Sequence, residues 1–308
     1  MKKRGLLVFG AVYLAAAAYA CGGGEATSTT TGADPSSPPS TTSTTPSNDS
    51  PAPVPDASGQ DAADASTPFS PQTLGSRLVL WLEADKDFGV VDGGLVWKDQ
   101  SPQKNDAVQN DLLQQPAHLD GGDDASINHH GVVHFTGNEY LQIQDSDSLQ
   151  WATSDYALYA VVRHTNAPAQ YGIIYAKWTD VAPFPGPFLW ASYPHGEKTG
   201  YVARIDTTRE VFSDGGMNDN TYRIVGAHKA GTTLELRIGG EKVSELVDAG
   251  GYDESGFNAA TLPAYVGGRP QPVQRLHGDI AELIAIKGTL STADVAALEA
   301  FLKAKYDL

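Results

Sequence analysis

The chain has 308 residues, 41% of them hydrophobic, and carries 37 Asp and Glu against 21 Lys and Arg, a net charge of −16. An acidic balance of this size excludes a protein that tracks nucleic-acid phosphates, which needs a basic face. Cys21 is the sole cysteine, so no disulfide can form within the chain.

The N-terminus opens on Lys2-Lys3-Arg4, runs through an apolar stretch from Gly5 to Ala20 and reaches Cys21. The stretch falls short of the ~20 apolar residues of a spanning helix, so residues 1–20 read as an export signal. Ala18-Tyr19-Ala20-Cys21-Gly22 resembles the lipobox of bacterial lipoproteins, with Ala and Tyr where Leu and a small residue are usual. That resemblance implies acylation of the Cys21 thiol and a membrane anchor through the lipid, at the outer membrane or cell surface. Ala18-x-Ala20 also satisfies ordinary signal peptidase, which would leave the chain secreted with an exposed thiol.

From residue 21 to about Ser76, Thr, Ser, Pro, Ala, Gly and Asp dominate, as in Thr27-Ser28-Thr29-Thr30-Thr31 and Pro51-Ala52-Pro53-Val54-Pro55. Such a segment buries too little apolar area to offset its ordering entropy, and a disordered tether is expected. Residues 77–308 remain, about the length of one β-sandwich.

Arg77 to Ala84 is apolar on both strand faces, as a central strand would be. Short alternating segments follow at Tyr156–Arg163, Gly172–Lys177, Gly200–Ile205, Tyr222–His228 and Thr233–Ile238, and Gly239-Gly240 marks a hairpin into Lys242–Leu246. Their spacing predicts an all-β, antiparallel sandwich. Near the end, a period of two puts Ile280, Glu282, Ile284 and Ile286 on one face of a long strand and Ala281, Leu283 and Ala285 on the other. Ser291 with Asp294 forms a capping box for a single closing helix, whose stripe is Val295, Leu298, Phe301 and Leu302.

Four blocks carry a family resemblance: Trp81-Leu82-Glu83-Ala84; Trp97-Lys98-Asp99-Gln100-Ser101 with Asn105-Asp106-Ala107; Val132 to Leu141; and Gly278-Asp279-Ile280-Ala281-Glu282 closing on Lys305-Tyr306-Asp307-Leu308. In this order they resemble the bacterial laminin-G-like domains of the concanavalin A-like lectin/glucanase superfamily. Asp307 stands where that family usually has Gly. The resemblance implies a jelly-roll sandwich and does not by itself name a ligand.

Retaining glucanases of the superfamily set Glu, Asp and Glu at alternate positions of one strand. Glu83, Asp85 and Asp87 have that spacing, but the last is a short Asp, a poor partner where two carboxyls must stand ~5–5.5 Å apart across a sugar. A non-catalytic domain is the expectation, a glucanase-type hydrolase the alternative, and a structural or protein-binding envelope module a third. His129, His130 and His134 read as a solvated loop and strand start rather than a transition-metal site. Many laminin-G-like domains bind calcium, and the Asp120, Asp123 and Asp124 loop supplies oxygen ligands of that kind, as do Asp145 with Asp147 and Asp214 with Asp219.

The densest aromatic stretch is Lys177 to His195, with Trp178, Asp180, Phe188, Trp190, Tyr193 and His195 among prolines. Sugar C–H faces pack on aromatic rings while carboxylates and amides bind the hydroxyls. Trp178, Asp180, Trp190, Tyr193, His195 and, from a neighbouring strand, Arg204 are therefore the expected contacts for a polysaccharide. The competing reading is that Phe188 and Trp190 fill a core.

Overall fold

The computed structural model describes residues 68–122, 127–151, 154–167, 170–177, 186–192, 199–206, 208–247 and 262–308. Cys21, the expected export signal and the expected tether up to residue 67 lie outside these residues. The described chain is the expected antiparallel β-sandwich with one C-terminal helix.

One sheet has eight strands: β1 (Leu78–Glu83), β5 (Ala117–Leu119), β6 (Val132–Thr136), β8 (Tyr156–His164), β13 (Arg223–Ala230), β14 (Thr233–Ile238), β15 (Glu241–Val247) and β17 (His277–Lys287). The other has nine: β2 (Phe88–Val91), β3 (Gly94–Trp97), β4 (Ala107–Gln109), β7 (Leu141–Ile143), β9 (Gly172–Ala176), β10 (Phe188–Ala191), β11 (Tyr201–Arg204), β12 (Glu210–Phe212) and β16 (Ala264–Val266). Gly239 and Gly240, both at positive φ, make the β14–β15 turn that their sequence announces.

β17 is the central strand. β8 pairs with one side of it along its length. On the other side β6 takes His277 to Ile280, and β1 takes Glu282 to Ile286. The β8 register skips a residue between Ile280 and Glu282, a bulge at Ala281. This bulge overturns the strict alternation read from the sequence. Ile280 packs with Leu283 and Ala285 in the core between the sheets. Ala281, Ile284 and Ile286 pack on the outer side, under the helix.

That helix, α1 (Thr292–Tyr306), begins with the full capping box of Ser291 and Asp294. Leu298, Leu302 and Tyr306 are its buried stripe, with Phe301 half-buried and set edge-on against Phe69. Leu74, in a short 3-10 turn before β1, is buried in the same cluster, so the packed chain reaches back ahead of Arg77. Asp307 ends the helix in the left-handed conformation at φ 54, a position where Asp is tolerated less readily than Gly.

The motif residues hold this architecture together. Glu282 accepts hydrogen bonds from Trp81 Nε1, Lys305 Nζ and Tyr306 Oη, each at 2.7 Å. Lys305 also pairs with Glu83 at 2.9 Å. Burial pushes the Glu282 carboxyl above the ordinary range, while Lys305 and the two other donors pull it back. Asp99 accepts from the backbone of Trp81, Ser101 and Asn105 at 2.8, 2.8 and 2.7 Å, which fixes the loop after β3.

Gly278 is needed for space. A Cβ there would stand 2.1 Å from the carbonyl oxygen of Arg163 on β8. Gly278→Ala is expected to cost roughly 3 kcal/mol or more, because a backbone atom cannot step aside as a side chain can. Calorimetry should show the melting temperature of the variant lower by about 6–12 °C.

Candidate functional site

The inward residues of the nine-stranded sheet, including Trp97, Ala107, Leu141, Tyr175, Leu189 and Ala203, belong to the core shared with the other sheet. Their chain neighbours therefore face outward. The pairing register lines these up across the whole sheet. Glu210 lies opposite Arg204, Arg204 opposite Phe188, and Phe188 opposite Ala176. Ala176 meets Tyr265, and Tyr265 meets Gln142. Val108, Val96 and Gly89 complete the row. With strands ~4.8 Å apart, the nine positions cover about 38 Å.

The row changes character along its length. At the β10–β12 end, Phe188 and Trp190 pack edge to face at 5.0 Å with Val202 and Ile173, and Tyr171 sets its ring against Trp190 at 5.5 Å. The Arg204 guanidinium lies over both rings, 5.2 Å from Phe188 and 5.4 Å from Trp190. Phe188, Trp190 and Arg204 are buried. In the middle, Tyr265, Gln142 and Val108 are half-buried, and Tyr265 meets Tyr140 at 6.1 Å. At the β2–β3 end the face opens into a cleft of about 660 Å³, with Val91 and Val96 as its apolar wall and Gln100, Lys98 and Asp106 as its polar one. Lys98 pairs with Asp106 at 2.7 Å.

Of the six residues read from the sequence as ligand contacts, Trp190 and Arg204 are described, and they meet on this outer face. Trp178, Asp180, Tyr193 and His195 lie outside the described residues. Lys177 and Ser192, which lead into those two segments, follow β9 and β10, two antiparallel neighbours, and so stand at opposite ends of the sandwich. Among the calcium candidates, Asp120 is exposed and faces His118 Nδ1 at 3.4 Å, while Asp123 and Asp124 lie outside the described residues. The Asp145 carboxylate is taken by the buried Lys177 ammonium and by Gln150 Nε2, 2.7 Å from each oxygen. Burial draws the Lys177 pKa down against the pull of Asp145. Asp219 is held at both oxygens by Arg223, at 2.8 and 2.7 Å, which takes its pKa far below the carboxylate range. Among the described residues no three His, Cys, Asp or Glu side chains converge as a metal site.

The three carboxylates with glucanase spacing serve three separate structures. β1 ends at Glu83, which pairs with Lys305. Asp85 accepts from Gly131 N at 2.6 Å and bonds His130 Nδ1 at 2.5 Å. Asp87 sits in a turn at φ 48, 3.4 Å from Gln100 Nε2. The histidines separate likewise. His130 goes to Asp85, while His134 Nδ1 goes to Asp279 at 2.5 Å on the outer face of the eight-stranded sheet. Asp279 also accepts from Arg163 Nε at 2.5 Å and Tyr222 Oη at 3.2 Å.

Tyr265, Gln142 and Val108 were not legible as site residues. Each comes from a three-residue strand, too short for alternation to register.

No family model matches the chain, and no curated protein does. Solved structures do. The binding domain of Paraclostridial Mosquitocidal Protein 1 superposes with a TM-score of 0.53 at 13% identity, over 74% of this chain and 53% of that one. Domain 4 of an extracellular arabinanase from Geobacillus stearothermophilus, solved with arabinotriose, gives 0.47 at 11%, over 72% and 98%. Trypanosoma rangeli sialidase gives 0.48 at 14%, over 75% and 33%. The chain thus spans about half of the first of these proteins, at 53%, and at such identities the likeness is one of fold.

Proposed function

We propose that this chain is a non-catalytic carbohydrate-binding domain of the laminin-G-like kind, held at the cell envelope by a lipid on Cys21 and spaced from it by the segment up to residue 67. The outward row of the nine-stranded sheet carries this reading. It sets Tyr265 beside Tyr140, whose ring lies under the Arg275 guanidinium at 4.6 Å, with Gln142 as a neighbouring amide and a cleft further along the same face. Pyranose rings stack on aromatics and hydrogen-bond to such amides. Trp178, Asp180, Tyr193 and His195, read from the sequence, are proposed ligand contacts as well, and Trp190 and Arg204, both buried, stiffen the sheet rather than touch the sugar. Calcium at the Asp120, Asp123 and Asp124 loop is a secondary element of it.

The dispersal of Glu83, Asp85 and Asp87 onto Lys305, His130 and Gln100 supports binding over glucan hydrolysis. A protein partner is favoured by a different observation: Leu112 and Leu113 stand 73% and 86% exposed on a short turn pinned by Asp111.

A glycan array run with the mature protein, with and without calcium, tests the proposal. Tyr265→Ala is expected to weaken glycan binding by about tenfold, the loss of one stacked ring at ~1–1.5 kcal/mol. Binding untouched by Tyr265→Ala and by Trp178→Ala with Tyr193→Ala would remove the open face as the site. Release of reducing sugar from a β-glucan would favour the hydrolase. For the anchor, Cys21→Ser is expected to move the protein from the membrane fraction to the soluble one.

A further inference from the structure

The cleft at the β2–β3 end of the nine-stranded sheet stands over a glycine that the fold does not require. Gly89 lies in β2 opposite Val96, in unbroken register and on the outward row. Its φ is not positive, so the backbone there suits any residue. A Cβ built on it would meet no atom within 4 Å. Glycine inside a strand weakens it, and where neither a bulge nor packing calls for one it marks the close approach of something else. The missing side chain leaves an open floor, backed by Val96 and edged by Val91, which is 51% exposed.

The polar wall is a separate observation. Lys98 donates through Nζ to Asp106 at 2.7 Å, and both are accessible, with side chains 47% and 26% exposed. This pair has capacity to spare. Asp106 accepts Lys98 at one oxygen and Asp99 N, at 2.9 Å, at the other, which leaves each oxygen a further acceptor site. Among the described residues the ammonium spends one of its three N–H groups. A donor and an acceptor side by side match two neighbouring hydroxyls, one accepting from Lys98 and one donating to Asp106. The other accessible charges, Lys104 and Asp87, offset each other at the rim. Asp99 is buried and taken up by Trp81, Ser101 and Asn105. A cleft whose exposed charges cancel favours an uncharged, hydroxyl-rich ligand over an ion.

We propose that this cleft is a second sugar subsite, in which an uncharged pyranose lies face-down on Gly89 and Val96 while the Lys98–Asp106 pair holds two of its adjacent hydroxyls. The proposal rests on the carbohydrate reading of this face and narrows it. Tyr265, Gln142, Val108, Val96 and Gly89 follow one another across the sheet. Four strand steps of ~4.8 Å put the two subsites about 19 Å apart. A single sugar cannot reach both. The ligand class is therefore a neutral polysaccharide taken along its chain, with separate contacts joined through one molecule.

Amide NMR of the isotope-labelled full chain, titrated with the methyl pyranosides of glucose, galactose and mannose, tests this. Calorimetry with the linear hexasaccharides of the same sugars tests the span. At least one methyl pyranoside is expected to shift the Gly89 amide saturably, and its hexasaccharide to bind more tightly. Gly89→Val fills the floor and should weaken the methyl pyranoside by at least about tenfold, or ~1.4 kcal/mol. Its melting temperature should hold or rise, since valine suits a strand. Should that variant melt lower, Lys98→Met, at an exposed side chain, decides the matter by the same loss. Tyr265→Ala should remove the advantage of the hexasaccharide and leave the methyl pyranoside at Gly89 unchanged. A Gly89 amide unmoved by all three probes, binding that survives Gly89→Val and Lys98→Met, or a hexasaccharide no tighter than its methyl pyranoside overturns the proposal. A glycan-array signal abolished by Tyr265→Ala would then still uphold the carbohydrate reading, whereas a silent array would remove both.

Discussion

Exchange of Lys305 for Met is expected to lower the unfolding free energy by roughly 3–5 kcal/mol, the cost of stranding a buried charge. The reason is the register of β1 on β17, which sets Glu83 directly opposite Glu282. Both carboxylates are buried, and Lys305 bridges them at 2.9 and 2.7 Å. Trp81 and Tyr306 still donate to Glu282 in the variant, but neither brings a charge. Burial already raises the Glu282 pKa above its ordinary 4.5. Without Lys305 it rises further, so the folded variant retains a proton that the unfolded chain releases. Stability of Lys305→Met should therefore fall as pH rises above the unfolded carboxyl range, and the loss should be smaller at pH 5 than at pH 8. Urea denaturation at the two pH values checks this. Adding Glu83→Gln and Glu282→Gln should recover most of the loss, whereas a purely steric role for the lysine stem would leave the triple variant as weak as the single one.

Acid should loosen the fold through His164. This side chain is fully buried in β8, edge-on to Tyr201 at 5.0 Å, and neither ring nitrogen has a hydrogen-bond partner among the described residues. Burial, then the charge of Arg223, brings its pKa from 6.5 down to about 4. Above pH 6.5 the ring is neutral in the folded and unfolded chains alike, and the group contributes no pH dependence. Below it, the unfolded chain takes up a proton that the folded chain refuses. Stability then falls until about pH 4, by roughly 3 kcal/mol in all. His228, brought to about 4 by the same cause, adds in the same direction and by less, since its ring is partly exposed. His164→Phe keeps a ring against Tyr201 and removes the titration. The slope of unfolding free energy between these pH values should drop by up to ~1.4 kcal/mol per pH unit. An unchanged slope would show that other groups carry the acid sensitivity.

The fold was legible because its signals are redundant. β1, β8, β13, β14 and the β14–β15 turn each announce themselves by alternation or paired glycines, and the blocks around Trp81, Asp99 and Glu282 agree on their order. What alternation could not see was a bulge. One extra residue at Ala281 is silent in the sequence, yet it sends Ile280 to the opposite layer from Ile284. The candidate site was harder to read for a related reason. Its outward row takes one residue from each of nine strands, and only the pairing register brings Arg204, Phe188, Tyr265 and Gln142 into line. No local window contains more than one of them. The aromatic stretch was visible, and Trp190 and Arg204 do meet, but a run of residues on one hairpin cannot reveal which of its ends a ligand would visit. The acidic motif residues show the reverse case. Glu83 and Asp85 have the spacing of catalytic groups and are paired with Lys305 and His130, and a carboxylate with a lysine or histidine partner looks the same in one dimension as one poised over a substrate.

The placement of β1 has a mechanical consequence. It is the first strand, and it lies against the second half of β17 through five residue pairs, from Leu78 with Ile286 to Glu83 with Glu282. A pull on the chain before Pro68 directed along the axis of β1 would load those contacts in shear, all together, rather than peel them apart singly. The ring contact between Phe69 and Phe301 would take up the same tension and hand it to the closing helix. A domain gripping something fixed on its nine-stranded face could thus bear traction from its N-terminal side without unravelling from that end.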